Sequence, residues 1–160
     1  EDNYHDGGRM MVGGHEYALA QFHFHSPSEH TVDGKHAAME MHLVHRDADG
    51  NLAVIGVMIQ EGERNAEFER FHDYLPEEPG RADAEPGVMV NASKLLPGDL
   101  ACYQYSGSLT TPPCSEGVAW FILKEPIQAS KAQVERFREL YFGNNRPTQP
   151  LHDRKVTFVQ

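Results

Sequence analysis

Two stretches of the chain alternate between apolar and polar positions with a period of two, the spacing of side chains along a β-strand. Over residues 16–25, "EYALAQFHFH", Leu19, Gln21, His23 and His25 fall on one face and Ala20, Phe22 and Phe24 on the other. Over residues 38–45, Glu40, His42 and Val44 oppose Met39, Met41 and Leu43. Residues 52–59 are apolar throughout, which predicts a strand buried on both faces. Shorter apolar runs predict further strands at 100–105, 118–123 and 154–159. Asn65 is placed to cap a helix that carries Phe68, Phe71 and Leu75 and stops at Pro76. Ser130 and Gln133 form a capping box ahead of Val134, Phe137 and Tyr141, with Gly143 as the C-cap. The pattern predicts a mainly β domain with peripheral helices (α+β), built on a central, largely antiparallel twisted sheet.

Residues 76–87, "PEEPGRADAEPG", read as a long surface loop. Strand-like sequence lies on both sides of it, so residues 1–160 are expected to form a single domain. The longest apolar run, residues 51–59, is far too short to span a bilayer, so no membrane association is expected. The opening "EDNYHDGG" has no apolar core of a signal peptide, which leaves open what a precursor carried. Fourteen basic residues against twenty-four acidic ones give a net charge of −10. That charge argues against a nucleic-acid partner and for a small or neutral one. Two cysteines, Cys102 and Cys114, exclude a disulfide-dense scaffold but leave one bridge open.

Ten histidines are many for this length, and two of them change the picture. His23 and His25 lie two apart on a predicted strand, so both imidazoles project from one face. A third imidazole from a neighbouring strand would complete a three-nitrogen site with one position left open, the arrangement of catalytic zinc. His42 suits that role, with Glu40 and Val44 on its own face. Gln21 and Glu40 each precede a candidate ligand by two residues, where they can orient its ring. His5, His15, His72 and His152 have no such setting and are expected at the surface; the spacing assigns no role to His30, His36 or His45. A competing pattern is present as well. "HFHSPSE" fits the H-x-H-x3-E start of a metal-binding cupin, in which Glu29 would ligate iron or manganese. That motif requires a later glycine-rich turn followed by a histidine, which the sequence after residue 45 does not supply.

The segments "QFHFHSPSEHTVDGKHAAMEMHLVH", "YSGSLTTPPCSEGVAWFILKEPI" and "NNRPTQPL" together resemble an α-class carbonic anhydrase of the bacterial secreted type. The resemblance runs from about residue 16 to the last strand and implies the C-terminal majority of that family's domain. It implies zinc on His23, His25 and His42, with zinc-bound hydroxide attacking carbon dioxide to give bicarbonate and a proton. Thr110 matches the family's gatekeeper threonine, which donates to Glu29, so Glu29 would be an orienting acceptor rather than a ligand. Val44, Val54, Leu109, Thr111, Val118 and Trp120 match the substrate pocket, and Asn144 matches a residue whose carbonyl supports His25. The family's proton-shuttling histidine lies upstream of the matched region. Cys114 matches a cysteine bridged in secreted bacterial members, which implies a periplasmic or secreted setting; pairing with Cys102 stays open. A catalytically silent binding module of the same family is the alternative. Silent members typically lose zinc histidines, and all three are present here.

Overall fold

The computed structural model describes residues 2–3, 8–72 and 91–160. In chain order the elements are β1 (Asp2–Asn3), β2 (Arg9–Val12), β3 (His15–His25), β4 (Thr31–Val32), β5 (Lys35–His36), β6 (Met39–Arg46), β7 (Leu52–Glu61) and α1 (Ala66–His72). They continue with a short 3-10 helix (Ala92–Leu95), β8 (Cys102–Ser108), β9 (Glu116–Leu123), β10 (Ile127–Ala129), α2 (Lys131–Tyr141) and β11 (Thr157–Val159). The Leu75 and Pro76 end of the first helix and the 76–87 loop lie outside the described residues, as does His5.

Nine strands form one sheet in the order β1-β3-β6-β7-β9-β8-β11, with β2 on β3 and β10 on β7; β4 and β5 make a separate hairpin. The sheet is mixed: β7 runs parallel to β9 and β10, and the other pairs are antiparallel. Its two faces do different work. One carries Phe22, Phe24, Met39, Met41, Leu43, Val57 and Ile59, packed against Phe68 of α1 and Val134 and Phe137 of α2. The other carries His42 and the apolar group Val44, Val54, Met58, Val118, Trp120 and Ile122. β7 supplies both, as its unbroken apolar sequence requires.

One expectation fails on β3. Leu19 does not share the histidine face; it packs with Phe22 and Phe24. The cause is a β-bulge: Leu19 pairs with His45 and Gln21 with Val44, so Ala20 is an extra residue on β3. Ala20 and Gln21 therefore both line the cleft on the histidine side.

Both predicted N-caps form, whereas the C-cap of α2 is Phe142, one residue before the expected Gly143. Asn65 Oδ1 accepts from the N–H groups of Glu67 and Phe68, and Ser130 and Gln133 make the reciprocal capping box. Helix α2 ends with Phe142 as its cap and Gly143 at φ +77°, a left-handed conformation that suits glycine. The Gly143 N–H donates to Ser26 O at 2.7 Å, which fastens the end of α2 to the end of β3 beside His25.

Candidate metal centre

Strands β3 and β6 pair so that His23 lies directly opposite His42 and His25 opposite Glu40. The three imidazoles converge, with ring centroids 4.9 Å (His23–His25), 5.2 Å (His23–His42) and 4.7 Å (His25–His42) apart. One ring nitrogen from each lies within 4.8 Å of the other two. Each ring is anchored from outside. His23 Nδ1 is 2.8 Å from Gln21 Oε1, and His25 Nδ1 donates to Asn144 O at 3.0 Å. Asn144 also accepts from Ser26 N through Oδ1 and donates to Phe24 O through Nδ2, so its backbone position is fixed against β3. His42 Nε2 lies 3.0 Å from Glu40 Oε1, off the line of a well-directed hydrogen bond.

These contacts leave nitrogens without partners in a buried place. His25 Nε2 and His42 Nε2 have no hydrogen-bond partner among the described residues, although both side chains are buried. Buried polar atoms are rarely left so, because desolvation without compensation costs about 1–3 kcal/mol. A cation placed among the three rings would satisfy His25 Nε2, whereas His42 Nε2 faces the Glu40 carboxylate. The convergence of one ring nitrogen from each histidine makes a donor set that fits a metal. Burial, followed by the neighbouring His42 and His25 rings, pulls His23 down to about 3. Burial and then His42 lower His25 as well. Both imidazoles are thus neutral near pH 7, with lone pairs available for coordination.

Glu40 is fully buried yet ionised. Burial alone would raise its carboxyl, but His42 and His30 outweigh that and hold it well below the usual carboxylate range. Its Oε2 accepts from the backbone N–H groups of Glu29 and His30, and its Oε1 lies 2.7 Å from His30 Nδ1. The far side of His30 meets Tyr105 Oη at 2.6 Å. Tyr105 in turn stacks on Trp120, with ring centroids 6.3 Å apart and planes at 9°. Sequence spacing gave no sign of His30 or Tyr105, because their partners lie on other elements. Gly56 was missed for a different reason. It sits opposite His42 on β7, where a Cβ would come within 2.8 Å of Glu40 Oε1 and 2.7 Å of Ile122 Cδ1. Its lack of a side chain makes the room that Glu40 occupies.

A cleft of about 400 Å³ opens onto His23 and His42. Val44, Val54, Leu109, Thr110, Thr111 and Trp120 line it, together with Ala20, Gln21, Arg46 and Leu52. Val118 stands behind this wall, buried in the same apolar group as Val44 and Trp120. Glu29 is buried beside the histidines, its Oε1 accepting from Arg146 N at 2.7 Å. Its Oε2 lies 3.9 Å from His42 Nδ1 and has no hydrogen-bond partner among the described residues. The expected donation from Thr110 is therefore not made in this structure. Glu29 also stands outside the three-histidine group, contrary to the cupin pattern.

The two cysteines are free. Cys102 pairs with Leu123 at one end of β8 and β9, whereas Cys114 lies past the other end, where Ser108 meets Glu116. Six residues of strand separate the two ends, roughly 20 Å, whereas bridged cysteines have Cα atoms within about 7 Å. Cys102 cannot partner Cys114.

Three histidines carried on adjacent antiparallel strands of a mixed sheet, with a partly apolar cleft above them, define a candidate metal site of the carbonic-anhydrase type. Residues 3–160 match the eukaryotic-type carbonic anhydrase family, and the chain belongs to that family. It is 44% identical over 154 residues to a carbonic anhydrase of Nostoc sp. and 47% identical over 148 residues to one of Klebsiella pneumoniae. Those matches cover 96% and 92% of this chain, and the chain spans 58% and 60% of those relatives' lengths. The α-carbonic anhydrase of Thermovibrio ammonificans, solved with the inhibitor sulfanilamide, superposes with a TM-score of 0.87 at 51% identity. That match covers 91% of this chain and 64% of the other.

Proposed function

We propose that this chain carries the zinc centre of a carbonic anhydrase and catalyses the reversible hydration of carbon dioxide to bicarbonate and a proton. The observation that carries the reading is the convergence of one ring nitrogen from each of His23, His25 and His42 within 4.8 Å, with His25 Nε2 buried and unpartnered among the described residues. His23 and His25 would ligate through Nε2, because Gln21 and Asn144 engage their Nδ1 atoms. At His42 the Glu40 carboxylate draws the proton to Nε2 and leaves Nδ1 for the metal. Zinc held there would supply Lewis acidity and bring the ionisation of a bound water to near pH 7.

The remaining steps belong to the chain. Val44, Val54, Leu109 and Trp120 offer an apolar wall suited to an uncharged, apolar substrate, with Val118 packed behind it. Thr110 is assigned to orient the attacking oxygen and Thr111 to the mouth of the cleft. Glu29 has the free, buried oxygen that can accept the Thr110 hydroxyl proton once the site is filled. Gln21, Asn144 and Glu40 fix the rings so that the ligand geometry is set before the metal arrives. An arylsulfonamide such as sulfanilamide, bound by the Thermovibrio relative, is expected to occupy the same cleft. The proposed setting is periplasmic or secreted, which fractionation of the source cells decides.

The test is carbon dioxide hydration by the chain, measured before and after dialysis against a chelator. Activity should vanish on dialysis and return with zinc alone. Recovery with iron or manganese but not zinc would overturn the reading, and zinc binding without hydration would mark a silent module.

A further inference from the structure

Strand β6 continues past the metal centre, and its cleft-facing row reads Glu40, His42, Val44, Arg46. Arg46 stands four residues beyond His42 on that face, about 13 Å higher at strand rise. It is exposed and lines the same cleft as His23, Thr110 and Thr111. It pairs with Ala18 on one side and Leu52 on the other, neither of which offers it a polar group.

The carboxylates on the adjoining segments are engaged elsewhere. Glu16, two residues along β3 from Ala18, is held by Arg9 at 2.7 Å. Asp47 folds onto its own turn, accepting from the backbone N–H groups of Asp49 and Asn51 and from Asn51 Nδ2. Among the described residues the Arg46 guanidinium is therefore a cation without a neutralising partner at the rim of the cleft. The chain around it carries a net charge of −10. Such a surface repels anions, and a cation set at a cleft mouth reverses the local field where field lines are focused.

We infer that Arg46 forms an anion subsite at the rim of the cleft, which recruits the bicarbonate ion and takes the carboxylate tail of a longer ligand. The inference rests on the proposed zinc site as the anchor at the cleft floor. Bicarbonate is the charged member of the substrate pair, so a rim cation acts on it and not on carbon dioxide. Arg46 touches no reacting atom at this height; it is a specificity residue.

The experiment uses the zinc-loaded chain and two ligands that differ at the tail: sulfanilamide, and a benzenesulfonamide whose para position carries a short linker ending in a carboxylate. Dissociation constants are measured by calorimetry for the native chain, Arg46→Gln and Arg46→Glu, at low and at high ionic strength. Exposed ion pairs contribute about 0.2–1 kcal/mol. The carboxylate ligand should therefore weaken up to about fivefold in Arg46→Gln and further in Arg46→Glu, and salt should erase the difference. Sulfanilamide should bind all three chains alike. Equal binding of the carboxylate ligand to all three, with sulfanilamide binding intact, overturns the subsite and leaves the zinc site standing. Failure of sulfanilamide to bind the native zinc-loaded chain overturns the anchor, and the subsite with it.

Discussion

Glu29 has two oxygens with two different tasks. Oε1 already accepts from Arg146 N, and Oε2 waits buried without a donor. A glutamine here keeps one acceptor; if Arg146 takes it, an amide N–H₂ faces the position assigned to the Thr110 hydroxyl. Glu29→Gln and Thr110→Ala should each lower hydration by about 10–100-fold while zinc stays bound, as disrupted outer contacts of metal sites commonly do. Paired assays of zinc content and stopped-flow hydration check this, and release of the metal by Glu29→Gln would make Glu29 a ligand. The histidines carry a pH signature of their own. His23 is held at about 3 against an ordinary 6.5, and His25 is lowered too. A base whose folded pKa is depressed adds stability that is complete above the unfolded value. That stability is lost as pH falls from about 6.5 toward 3, by up to about 1.4 kcal/mol per pH unit for each proton. Glu40 loses its own contribution only below its ordinary range, so it does not mask this window. The zinc-free chain should show a lower urea midpoint at pH 5 than at pH 7.5, with a smaller drop in His23→Asn. Equal midpoints would contradict the burial of neutral imidazoles.

At the level of elements, the site is a product of register. The alternation of β3 and β6 was legible because histidine and phenylalanine, or histidine and methionine, occupy opposite faces and cannot exchange without exposing one or burying the other. The bulge at Ala20 was not legible. A methyl group suits either face, so the sequence carries no mark of the extra residue that turns Leu19 into the core. Strands β4, β5 and β10 were equally silent, because two or three residues define no period. The Glu40–His30–Tyr105 chain joins a carboxylate on β6, a loop residue and a residue on β8, a grouping that only the folded sheet creates. Gly56 shows how tightly β7 and β6 are fitted. Strand propensity alone predicts that Gly56→Ala stabilises. The Cβ would instead press on Glu40 and Ile122, so we expect a loss of about 1–3 kcal/mol, together with weaker zinc binding as Glu40 is displaced. Thermal denaturation and a zinc competition assay check both effects, and a stabilised variant with unaltered zinc affinity would show that the contact yields.

For the whole molecule, helices close one face of the sheet and leave the other to the candidate metal centre and its cleft. Among the described residues lining that cleft, the imidazoles are His23 and His42, both committed to the metal in the proposed function. Each hydration leaves a proton that must reach solvent. A group ionising near pH 7 releases it to water far more slowly than hydration can proceed. For the 160-residue chain, turnover at saturating carbon dioxide should rise steeply with imidazole-type buffer at constant ionic strength, while kcat/KM barely changes. Fast turnover independent of buffer would mean that a residue of this chain relays the proton, and His5 and His36 would be the first to replace. The metal centre itself is tested most directly by adding zinc stepwise to the stripped chain while following bound metal and hydration together. Both should climb to a break at about one zinc per chain, as one three-histidine site requires, and His42→Ala should abolish both. Full zinc occupancy in His42→Ala, or hydration that does not follow bound zinc, would contradict it.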